Sequence, residues 1–148
     1  MDIELIHRRM AEAVNGAQLK GNNLQVTATP YIPRHFEPPH FYMFNWRIRY
    51  DRTFSPNRQN MHEFTTTWHL ALAFADDEAA EQEASALSGS GEQTIRDVIL
   101  DARGAPGEYA LGGAADDIRP VTASGPNEIN VGDVHLLVVE FVFDVIGH

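Results

Sequence analysis

The chain contains no cysteine. Disulfides, thiolate metal ligands and cysteine nucleophiles are therefore excluded, and the fold must hold by packing alone. Basic residues are also scarce, with 11 Lys and Arg against 21 Asp and Glu and a formal net charge of −10. Such a surface does not attract phosphates broadly, which argues against nucleic acid as a specific ligand. No apolar run approaches the roughly 20 residues of a membrane-spanning helix. The opening MDIELIHRRM carries acids at positions 2 and 4, where a signal peptide would be basic. At 148 residues the expectation is one domain, 1–148, able to bury a core without covalent staples.

Motifs that carry chemistry are missing as well. There is no HExxH, no GxSxG, no phosphate loop and no dinucleotide fingerprint. The seven histidines, at 7, 35, 40, 62, 69, 135 and 148, show no metal-ligand spacing. His35 and His40 do bracket Glu37, but prolines lie between them. The pairs Asp76-Asp77 and Asp116-Asp117 read as structural. Acids at a helix start complement its dipole, and neighbours on a strand point to opposite faces. No catalytic residue, metal or cofactor is expected.

What is present is an unbroken C-terminal run over 134–146, VHLLVVEFVFDVI. Its β-branched and aromatic content predicts a long strand. Leu137, Val139, Phe141, Phe143 and Val145 should face a core. The other face begins apolar and then acquires Glu140 and Asp144. One end of this strand is thus expected to be covered on both sides, and the other to present carboxylates to water or to a channel. Coverage shared between the domain and something else suggests assembly.

Earlier in the chain, residues 2–15 predict an amphipathic helix with Ile3, Ile6, Met10 and Val14 on one face and a stop at Asn15-Gly16. Residues 24–29 alternate as a strand, and 30–40, with four prolines, predict an extended arm or loop. In 41–54 the even positions Tyr42, Phe44, Trp46, Ile48 and Tyr50 are expected in the core, as is Trp68 in the next strand. The odd positions turn polar at Arg47 and Arg49, followed by Asp51 and Arg52. That charged run is either a solvated strand end or a cross-subunit contact. After a loop at 55–62, Phe64, Thr66, Trp68, Leu70, Leu72 and Phe74 alternate with small or polar residues. A helix starting at Asp76-Asp77 with Ala80, Ala84 and Leu87 inward leads through a Gly-Ser turn to a second. Ser90 and Gln93 are read as the second helix's capping box. A Gly/Ala-rich connector spans 104–115. Pro120 marks an edge strand over 118–124, a turn follows at 125–127, and Gly132-Asp133 forms a hairpin.

Taken in order, YDRTF (50–54), GSGEQTIRDVILDA (89–102), LGGAADDIRPVTASG (111–125) and the C-terminal strand resemble the tail terminator proteins of long-tailed bacteriophages, particularly those of actinobacteria. The likeness covers roughly the last 100 residues. It implies an α+β fold, with a mostly antiparallel sheet and an N-terminal helix and central helix pair packed on one face. It also implies a homo-oligomeric ring of six copies at the head-proximal end of the tail, assembled in the host cytoplasm. Such a ring caps the tail tube protein, ends its polymerisation and meets the head connector protein, while DNA passes without specific binding and no membrane is involved. The candidate interface or lumen residues are Arg47, Arg49, Asp51, Arg52, Glu140 and Asp144. Two alternatives stay open. One is another connector or minor tail protein. The other is a small-molecule-binding or hydrolytic domain built on the aromatic cluster with His35 and His40.

Overall fold

Helix α1 (Ile3–Asn15) begins where Asp2 caps it, the carboxylate accepting from Leu5 N–H at 3.0 Å. Its buried face carries Ile6, His7, Met10, Ala11 and Val14, spaced as a helix needs to present one stripe. The computed structural model describes residues 2–19, 25–35, 37–49, 62–73, 77–102, 110–131 and 133–147. Among these, strands β1 (Thr27–Thr29), β2 (His40–Arg49), β3 (His62–Ala73), β4 (Asp117–Val131) and β5 (Val134–Gly147) form one sheet in the order β1-β2-β3-β5-β4. Only the β1–β2 pairing is parallel. Helices α2 (Asp77–Ser88) and α3 (Ile95–Leu100) pack with α1 on one face, giving the α+β architecture. Within that layer α1 lies over β1 and β2, and the α2–α3 pair lies toward β5 and β4.

The core sits between the helices and this face. Phe64, Thr66, Trp68, Leu70 and Leu72 point into it from β3, and Leu137, Val139, Phe141, Phe143 and Val145 from β5. Ala80, Ala84 and Leu87 of α2 and Ile95 and Ile99 of α3 close it from above. Small residues on α2 let the helix approach the aromatic floor. Beneath the sheet a second, smaller apolar group joins Tyr42, Ala71, Leu136 and Val138. Residues 136–139 of β5 are therefore buried on both faces, whereas Glu140, Val142, Asp144 and Ile146 are half-buried.

Four expectations need correction. β2 does not keep one alternation, because Met43 pairs with Trp68 and Asn45 with Thr67, leaving Phe44 as an extra residue. That bulge reverses the phase. Phe41, Met43, Trp46 and Ile48 face the helices, while Tyr42, Phe44, Asn45, Arg47 and Arg49 face the other way. Phe44 and Trp46, expected in the core, are 43% and 45% exposed. Among the described residues β1 holds only Thr27–Thr29, and Asn15 closes its outer edge: the amide donates to Ala28 C=O at 2.9 Å and accepts from Ala28 N–H at 2.7 Å. The cap of α3 is Thr94, not Ser90, with Asp97 reaching back to Gly91 N–H at 3.2 Å. Finally, 125–127 is no turn. β4 runs through it with a register shift, and Gly125 at φ 134° passes so close to β5 that a Cβ would meet Val138 O at 2.9 Å. Pro120 does lie on an edge strand, next to another shift. Tyr50, Phe74, Asp76, Asp51 and Arg52, and most of 55–62 and 104–109, fall outside the described residues.

Candidate functional site: the second face of the sheet

Cross-strand partners share a face, so the pairing registers assemble the helix-free side row by row. Arg47 lies opposite Thr65, Thr65 opposite Asp144, and Asp144 opposite Arg119. The next row runs Arg49, Glu63, Ile146, Asp117. In the other direction His69 is flanked by Tyr42 and Glu140, with Ser124 beyond. Four of the six candidate residues, Arg47, Arg49, Glu140 and Asp144, are thus brought to one surface from segments about a hundred residues apart. Asp51 and Arg52 are outside the described residues.

The carboxylates are held differently. Asp144 accepts from the Thr65 hydroxyl at 2.8 Å, which fixes its rotamer on the sheet. Glu140, whose side chain is 44% exposed, sits 3.4 Å from His69 Nε2. A carboxylate only accepts, so His69 donates from Nε2, and its Nδ1 then accepts from Tyr42 O–H, also at 3.4 Å. Phe44 stacks on the His69 ring at 4.1 Å and 13°. Burial holds the His69 pKa below 6.5 against the opposing pull of Glu140, and burial raises that of Tyr42. Burial therefore works against an ion pair between His69 and Glu140.

This face is mixed in sign. Arg47, Arg49 and Arg119 oppose Glu63, Asp117, Glu140 and Asp144, and Arg119 bonds Asp117 at 2.9 Å. It offers salt-bridging and hydrogen-bonding groups over an apolar base, the chemistry of a contact or a solvated wall. His69 is engaged on both ring nitrogens, by Glu140 on one side and by Tyr42 on the other. The histidines of the hydrolytic alternative are also separated in character. His35 is exposed, whereas His40 is buried with its Nε2 on Thr29 Oγ1 at 2.9 Å. Because that hydroxyl donates to Tyr31 C=O, His40 must be the donor. Burial lowers its pKa, with Glu37 pulling the other way. Among the described residues no group of three or more His, Asp or Glu is placed to hold a metal.

Sequence reasoning missed Thr65, His69, Phe44 and Arg119 as members of this surface. Their alternation was visible, but the register that sets them beside Asp144 and Glu140 is a property of strand pairing. The fold and this surface define the class as an α+β protein with one helix-covered and one partly open sheet face. A scan against models of known protein families finds none that matches the chain. A comparison with curated proteins gives no match either.

Proposed function

We propose that the chain is a structural, non-enzymatic virion protein of the tail-terminator type. Copies of it form a closed ring that caps the tail tube, stops its growth and meets the head connector. One observation carries the reading: β5 is covered on both sides over 136–139 but not beyond, where Glu140 and Asp144 stand half-buried beside Arg47 and Arg49. A sheet face with charged residues fixed in rows over apolar side chains suits contact with neighbouring copies or with the solvent of a bore. A bore lined by Glu140 and Asp144 lets DNA slide, because phosphates are retained by clustered cations. The wall is only moderately acidic, given Arg47, Arg49 and Arg119 on the same face.

The test is assembly of particles lacking the protein. Tails that overrun their normal length and fail to join heads are the expected result, reversed by supplying the chain. Tails of normal length attached to heads end the proposal. In solution, six copies of the 16.5 kDa chain give a species of about 100 kDa.

A further inference from the structure

An open cavity of about 470 Å³ lies where the start of α1 meets β2. Helix α1 contributes Ile3, Glu4 and His7 to its lining, β2 contributes Met43 and Trp46, and Tyr31 comes from the segment after β1. The lining surface is almost wholly apolar. Two of its aromatic side chains, Tyr31 and Trp46, are 60% and 45% exposed, so ring surface is open to a ligand. Among the described residues Glu4 is the one carboxylate of the lining, and no Lys or Arg joins it. Burial lowers the His7 pKa to about 4 and leaves that ring uncharged at neutral pH, its Nε2 held on Thr66 Oγ1. Arg8 comes no closer to Glu4 than 3.8 Å and both side chains are exposed, a pairing too weak to occupy the carboxylate.

We propose that this cavity binds a small organic ammonium ion whose charge is surrounded by alkyl groups. The lining itself selects that chemistry. Glu4 repels an anion. A neutral polar ligand finds few hydrogen-bonding partners on apolar walls and gives up those it has in water. An inorganic cation holds its hydration shell and gains little from the same walls. An alkylated ammonium ion meets every condition at once. Its alkyl groups take the apolar surface, its charge is drawn to the exposed aromatic rings, and Glu4 balances it. Trp46 matters most, because indole is the strongest aromatic partner for a cation. The volume falls in the range of small-molecule pockets, roughly 300–1,000 Å³, which suits a free ion. No second copy takes part, so the site stands or falls apart from the ring reading.

The chain's two tryptophans make the test direct, since Trp46 lines the cavity and Trp68 is fully buried in the core. Choline is titrated into the native chain while the two indole N–H signals are followed by NMR. The Trp46 signal is expected to shift saturably and the Trp68 signal to stay. The neutral isostere 3,3-dimethylbutan-1-ol, which keeps the shape and lacks the charge, is expected to bind at least about tenfold more weakly. Glu4→Gln should weaken choline binding about threefold, and Trp46→Leu about tenfold, both read from the backbone signals of the α1 start. Both side chains are exposed, so the urea midpoints of these variants should match the native one. No saturation at ~100 mM choline, equal affinity for the neutral isostere, or a folded Trp46→Leu chain that binds choline as the native one does overturns the proposal.

Discussion

His7 lies inside the core at 3% exposure, its Nε2 2.9 Å from Thr66 Oγ1 and its ring edge-on to Phe64 and Trp68. Desolvation lowers its pKa from 6.5 to about 4. The unfolded chain therefore binds a proton that the folded chain refuses between these values. Stability is complete above about pH 6.5 and declines as the pH falls toward 4. A depression of that size corresponds to on the order of 3 kcal/mol, and burial of His40 and His69 acts in the same direction. Urea midpoints measured across this window should drop steeply for the native chain. His7→Gln should start lower and drop less, and an equal slope in both would show that His7 is not the group responsible. The position was readable in part: four residues after Ile3 and three before Met10, His7 falls on the apolar stripe of α1. Its partner was not readable, because Thr66 comes from β3 and only the packing of α1 across the sheet brings them together.

Caps and bulges decide how the elements are bounded, and they were the least legible feature. The α3 start has two similar candidates in GSGEQTIRD, and Ser90-x-x-Gln93 looks like a capping box as well as Thr94-x-x-Asp97 does. The chain uses the second: the Thr94 hydroxyl accepts from Asp97 N–H, and Ile95 and Ile99 enter the core. Gln93, at φ 65°, belongs to the turn that precedes it. Thr94→Ala should cost about 1 kcal/mol in chemical denaturation, while Ser90→Ala should change stability by less than about 0.5 kcal/mol. Equal effects would contradict the assignment. Alternation located β3 and β5 because each keeps one register along its length. It put Trp46 and Ile48 on the helix side correctly but misplaced Tyr42 and Phe44, because one extra residue at Phe44 switches the phase midway along β2, and it broke β4 in two, because Gly-Pro-Asn has the composition of a turn as much as of a bulge.

At the scale of the whole molecule, the chain carries a formal net charge of −10, yet among the described residues the second face of the sheet sets Arg47, Arg49 and Arg119 against Glu63, Asp117, Glu140 and Asp144. What that face does is therefore decided by where individual charges stand rather than by their sum. Glu140 is the most telling of them. It is half-exposed and bonded through His69 to Tyr42. Glu140→Lys exchanges a repelled anion for a cation at a position that tolerates a long polar side chain, so folding and ring closure should persist. If the face lines the bore, a ring of such lysines holds DNA phosphates, and each added contact makes retention salt-dependent. Particles carrying the variant should have tails of normal length joined to full heads, yet release DNA more slowly, with raised ionic strength restoring the rate. Ejection that matches the native rate at low salt would place Glu140 away from the bore. The second face would then be a contact surface between copies, where the same lysine meets Arg47 or Arg49 and weakens the ring instead.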